Sequence, residues 1–114
     1  MLPDANRLRK QKEIERVKAL GSGAASAGLR IKSISNGLAA TRFCFVVSSA
    51  VAPRAVDRNQ LKRRLREAAR VLLSGIYNNY DIVVWLQRMP SDKSYAALLE
   101  ALKTNFGRSG LFGR

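Results

Sequence analysis

The clearest pattern along the chain is the spacing of Leu61, Leu65, Ala68, Ala69 and Leu72. These residues fall at i, i+4, i+7, i+8 and i+11 and draw a single apolar stripe along a helix. Asp57 stands three residues before Gln60, a capping-box arrangement that predicts the helix start, and Gly75 lies near its end. Residues 80–87 are almost continuously apolar through Ile82, Val83, Val84, Trp85 and Leu86, which predicts a buried central strand. Residues 42–49 alternate instead: Phe43, Phe45 and Val47 point one way, and Arg42, Cys44, Val46 and Ser48 the other. Residues 29–35 are rich in β-branched side chains and predict an earlier strand, followed by the turn signal Asn36-Gly37. Residues 51–56 predict a short strand that Pro53 confines to an edge or a bulge.

The two ends read as helices. Residues 6–20 place Ile14 and Val17 on one face behind a cap at Asn6, and Gly21-Ser22-Gly23 stops the segment. Arg88-Met89-Pro90 breaks the last strand. Ser91 or Ser94 then caps a helix whose Tyr95, Leu98, Leu99, Leu102 and Phe106 share a face. The tail, residues 107–114, is glycine-rich and basic and is expected to be loose. The predicted order is α-β-β-β-α-β-α: an α+β fold, one domain over residues 1–114, with a mixed four-stranded sheet packed on helices. Residues 51–56, the second helix and residues 80–87 form a β-α-β unit, whose crossover general statistics make right-handed.

Charge changes this picture. The chain has 114 residues with 21 Lys and Arg against 8 Asp and Glu, a net charge of +13. An excess of that size creates a field that attracts polyanions. No apolar run approaches the roughly 20 residues of a spanning helix, and the start, Met1-Leu2-Pro3-Asp4, has no apolar signal region. The expectation is a soluble cytoplasmic protein with nucleic acid as partner and no membrane. Cys44 is the only cysteine, which fits a reducing compartment and reads as a small packed residue rather than a reactive thiol. The chain contains no histidine, so the commonest general base and the commonest metal ligand are both missing. Ser48 and Ser49 have nothing to activate them, and Asp57 is better explained as a helix cap than as a metal ligand. No catalytic residue, intrinsic cofactor or protein-bound metal is assigned.

The cations concentrate on the second helix. Arg58, Lys62, Arg66 and Arg70 form one i, i+4 row, with Asn59 and Arg63 on the adjacent row. At about 100° per residue, the centre of this band lies roughly 120° from the apolar stripe, so the helix docks on the sheet with its cations outside. Like charges at this spacing repel by a few tenths of a kcal/mol each, and phosphate oxygens would relieve that repulsion. The plain alternative is a solvated charged face, but the first helix and the tail repeat the bias. Trp85 reads as core. Phe43 and Phe45 share a face that is either core or an open cleft.

Three stretches bear a family likeness: residues 6–10 with the helix after them, residues 42–48 together with 55–67, and residues 80–84. In order and spacing they resemble the protein component of bacterial ribonuclease P, over residues 6 to 106. The resemblance implies a left-handed β-α-β crossover in place of the right-handed default. It implies a protein cofactor of a catalytic RNA, with the ribonuclease P RNA and precursor tRNA as partners and no required protein partner. The RNA, with Mg²⁺, would then perform the hydrolysis that removes the 5′ leader. Arg58, Asn59, Lys62, Arg63 and Arg66 match the family's RNA-binding motif, and Arg70 extends the row. Lys12, Ile14 and Lys18 on the first helix, Leu29 and Ile31 on the first strand, and Phe43 and Phe45 beside it fall at leader-cleft positions. The chain departs from the family pattern at Gln60, where arginine is common, and at Ile14 and Lys18, where aromatics are usual. It departs again at Cys44, a family glycine, and at Ser49-Ala50, a family lysine pair. The rival readings are a ribosome-associated or general RNA-binding protein of similar fold and a stand-alone metal-dependent nuclease.

Overall fold

In chain order the elements are a 3-10 turn (Asp4–Asn6), α1 (Gln11–Leu20), β1 (Ala25–Ser26), β2 (Leu29–Ser35) and β3 (Arg42–Val46), then α2 (Ala55–Leu72), a 3-10 turn (Leu73–Gly75), β4 (Tyr80–Leu86) and α3 (Tyr95–Arg108). These come from a computed structural model that describes residues 2–77 and 79–112. The sheet runs β1-β2-β4-β3. β4, the most apolar strand, takes an inner position, antiparallel to β2 and parallel to β3. The order α-β-β-β-α-β-α and the mixed four-stranded sheet are those expected from the sequence.

The sheet is covered unequally. Leu29, Ile31, Phe43, Phe45, Ile82, Val84 and Leu86 point to one side. There they meet Leu61, Leu65, Ala68 and Ala69 of α2 and Leu98, Leu102 and Phe106 of α3. Phe43 stacks on Phe45 at 5.9 Å and on Phe106 at 6.0 Å between ring centres. Each buried Leu or Phe contributes roughly 1.5–3 kcal/mol of transfer free energy, so this face is the main core. Among the described residues the opposite face carries α1 and the segment before it. Leu8 and Val17 are buried there against Val83, with Ile14, Ile34, Cys44, Val46 and Trp85 half-buried around them.

Two polar devices fix the layers. Arg42 donates two hydrogen bonds to Asp81, at 2.8 and 2.7 Å, and pairs with Glu13 of α1 at 3.2 Å. Asn36 donates to the same carboxylate at 2.9 Å, and its own side-chain oxygen accepts from Leu38 N–H, closing the Asn36-Gly37 turn. On the other side the buried Asn105 donates to the carbonyls of Leu29 and Ser26, locking α3 to the β1–β2 hairpin. That hairpin turns on Ala27 and Gly28, both at positive φ (55° and 80°), the two-residue geometry that matches strand twist.

Several boundaries differ from the sequence reading. The first helix begins at Gln11, not Asn6. Asn6 is buried and donates its amide to Thr41 O at 2.7 Å, and Leu8 N–H bonds to Phe43 O at 2.8 Å, so the edge of β3 claims residues that local propensity would coil. β3 ends at Val46, and residues 51–56 are not a strand. The chain turns after Ser48, where Ala52 N–H reaches Ser48 O at 2.9 Å, and α2 is under way by Ala55. The β-α-β unit is therefore β3-α2-β4, and the two-residue β1 supplies the remaining strand. The capping box does not form: Arg54 is the N-cap residue without a side-chain bond, and Asp57 lies inside the first turn. Ser94 does cap α3, accepting from Ala97 N–H at 3.2 Å. The tail is not loose up to Phe112. Gly107 and Arg108 belong to α3, Leu111 is buried, and its carbonyl accepts from Tyr77 N–H at 2.8 Å. Residues 113–114 lie outside the described residues.

Candidate nucleic-acid interface

α2 docks through Leu61, Leu65, Ala68 and Ala69, which turns the expected cationic row outward. Asn59 and Arg63 are exposed and Lys62 and Arg66 half-exposed. No hydrogen bond or ion pair to another described residue engages Lys62, Arg63 or Arg66. Two members of the row are partly committed. Arg58 donates to the carbonyls of Ala52 and Pro53, both at 2.9 Å, and so braces the loop before α2. Arg70 donates to Glu67 at 2.9 Å, and this guanidinium, chief among its neighbours, holds the Glu67 carboxyl down at about 2. Arg64, on the α3 side, donates to Lys93 O at 2.8 Å.

The row does not end at the helix. Arg66 faces Arg7 and Arg9 of the N-terminal segment, and burial followed by their repulsion lowers its affinity for a proton. Cys44 lies between α2 and α1. Burial pushes its thiol up, while the fields of Lys62, Arg66 and Lys18 pull the other way and are outweighed. Cations of both α1 and α2 therefore act on this one residue of the edge strand.

The residues expected to wall a cleft beside α1 do not lie on the α1 side of the sheet. Leu29, Ile31, Phe43 and Phe45 are buried at 1%, 1%, 3% and 8% exposure on the opposite side of the sheet, beneath α2 and α3. They belong to the main core. Alternation identifies which residues share a face but not which face is covered, and here the larger apolar set lies under two helices. The wall facing α1 is the complementary set: Arg30, Lys32 and Ile34 on β2, Cys44 and Val46 on β3, and Trp85 on β4. Trp85, expected in the core, is half-exposed with the Arg30 guanidinium 5.7 Å from its ring centre. Lys32 donates to Lys18 O at 2.7 Å, tying the wall to the end of α1. On the helix, Ile14 packs against this face and Lys18 is exposed, whereas Lys12 is exposed about 140° around α1 from Val17 by helical geometry and turns away from the sheet. The missed residues were legible in one respect: Arg30 and Lys32 occupy the alternate positions of β2, the phase that charge keeps wet.

Among the described residues no three of His, Cys, Asp or Glu converge on a point. Asp81, the buried carboxylate, is taken up by Arg42 and Asn36. No helix is long and apolar enough to cross a membrane.

Comparison with known proteins agrees with the geometry. The family model described as Ribonuclease P matches residues 2–110. The chain is 36% identical over 104 residues to the ribonuclease P protein component of a Pseudanabaena species, covering 90% of each protein. It is 30% identical over 113 residues to that of Dehalococcoides mccartyi, covering 99% of this chain and 92% of the relative. The fold superposes on the RNase P protein of Staphylococcus aureus with a TM-score of 0.85 at 24% identity, over 96% of this chain and all of that one. It superposes on the RNase P protein of Thermotoga maritima with a TM-score of 0.72 at 25% identity, over 86% of this chain and 92% of the other. The chain therefore belongs to the ribonuclease P protein component family, the RNA-binding protein subunits of the tRNA-processing ribonucleoprotein ribonuclease P.

Proposed function

We propose that the protein grips the ribonuclease P RNA with the outward row of α2 and holds the 5′ leader of precursor tRNA in the cleft beside α1, leaving the hydrolysis to the RNA. The observation that carries this reading is a pair of cationic limbs: Lys62, Arg63 and Arg66 on the outward side of α2, and Lys18, Arg30 and Lys32 on α1 and β2. One limb suits a structured phosphate backbone, which Arg63 and Arg66 would engage by bidentate bonds. Asn59 would add an amide contact, and Arg58 and Arg70 would contribute mainly charge, since both already hold protein partners. The other limb carries one partly buried aromatic, Trp85, packed in the same cluster as Ile14 and Val46 with Arg30 over its ring. That combination suits a single strand, where one ring stacks a base and cations follow the backbone.

The same reading divides the labour between protein and RNA. The chain has no histidine, and its described residues give a divalent ion no cage of protein ligands. Mg²⁺ in the holoenzyme would be held by RNA phosphates, and no step is assigned to a metal on this chain. The protein's part is to supply fixed positive charge that raises substrate affinity and lowers the Mg²⁺ demand of the folded RNA. The site of action would be the cytoplasm. The test is a comparison of holoenzyme affinity for precursor tRNA and for the same tRNA without its leader. The protein should tighten the precursor at least tenfold more than the mature form; equal tightening would remove the leader from the cleft.

A further inference from the structure

We propose that a hollow of about 340 Å³ between the N-terminal segment, α2 and the start of α3 receives one unpaired nucleotide of the bound RNA, its base against Tyr95 and its phosphate among the arginines. This rests on the reading that α2 binds RNA and adds a subsite to it. The hollow is lined by Arg7, Arg63, Arg64, Arg66, Glu67 and Tyr95.

Its parts are fixed rather than improvised. Tyr95 is the first residue of α3, half-buried against the main core, and the Ser94 cap holds that turn in place. Arg64 spans the floor to Lys93 O at 2.8 Å, which joins α2 to the loop before α3. An arginine side chain presents an aliphatic stem along its length and a guanidinium at its tip. Four of them around one tyrosine ring make a slot that is apolar inside and cationic at the rim. An extruded nucleotide has the complementary form: a flat, largely apolar base joined to an anionic phosphate. The volume falls in the range of small-ligand sites. A base held in a helix cannot enter, because its faces are stacked and its edge is paired, so the subsite would select a bulge, a loop or a junction.

The direct test uses two fluorescein-labelled two-stranded RNA duplexes, one fully paired and one carrying a single bulged adenosine, titrated with the full-length protein across a salt series. The wild type and Tyr95→Phe should bind the bulged duplex roughly tenfold more tightly than the paired one. Tyr95→Ala should bind both alike, with the salt dependence of the wild type retained. Steep salt dependence without any bulge preference in the wild type would overturn the hollow while leaving RNA binding by α2 intact. Failure to bind either duplex would overturn both. A second readout needs no variant. Photocrosslinking of the wild-type holoenzyme, with 4-thiouridine placed either in the ribonuclease P RNA or in the precursor tRNA, should give an adduct on Tyr95 and name the RNA that supplies the nucleotide. Crosslinks mapped only to other residues would contradict the proposal.

Discussion

Arg30 and Trp85 are direct partners across β2 and β4, and the guanidinium of one lies 5.7 Å from the ring centre of the other. The pair stands on the face of the sheet that carries α1, where Trp85 is only partly buried. Trp85→Ala should lower holoenzyme affinity for precursor tRNA roughly tenfold, within the usual worth of one stacked base, and leave affinity for leaderless tRNA unchanged. Equilibrium binding of the two substrates by gel shift measures the difference. An equal loss for both would mean that Trp85 supports the fold rather than the leader.

Arg63 and Arg66 meet no protein partner among the described residues, so their charge is available to phosphate. Arg63→Ala and Arg66→Ala should each weaken binding to the ribonuclease P RNA and flatten the plot of log affinity against log salt by about one unit per lost contact. Arg58→Ala should flatten it less and lower thermal stability more, because Arg58 braces Ala52 and Pro53. An unchanged slope for Arg63→Ala and Arg66→Ala would take both residues out of the interface.

Arg42 ties three elements through Asp81 and Glu13, and its hydrogen bonds to Asp81 raise its own proton affinity against the opposing effect of burial. Removing one partner of such a pair strands the other, at a cost of about 3–5 kcal/mol. Arg42→Ala should lower unfolding stability by that amount, read from urea titration. A loss below about 1 kcal/mol would show that α1 is held by the apolar contacts of Leu8 and Val17 alone.

Cys44 gives a pH signature. Burial holds its thiol above the ordinary value, so the unfolded chain releases this proton first as pH rises. The stabilisation is complete below the unfolded pKa of about 8.5 and is lost as pH climbs through the folded value. Wild-type stability, measured against Cys44→Ala by urea midpoint, should therefore fall over the alkaline window that opens at that unfolded value. A flat difference over that window would show that the thiol is not buried as described.

The parts legible in the sequence are those with strong periodicity. The apolar stripe of α2 and the continuous run of β4 led directly to the right elements, and the cationic row followed because it is fixed by the same helical geometry. The errors arose where tertiary contact overrode local signals. Asn6 looks like a cap but serves as a buried donor to Thr41. Val51 and Val56 look like a strand, yet Arg54 leads straight into α2. Phe43 and Phe45 were correctly placed on one face, but no local feature says that two helices cover that face and only one the other. That single ambiguity exchanged the cleft wall for the core and hid Trp85 and Arg30.

Reconstitution tests the central claim most directly. Purified protein, ribonuclease P RNA and precursor tRNA are combined at a Mg²⁺ concentration too low for the RNA to act alone, and leader release is followed over time. The protein without RNA should give no cleavage, and mixing the two should restore it. Leader removal by the RNA-free protein, or no stimulation of the RNA, would contradict that claim.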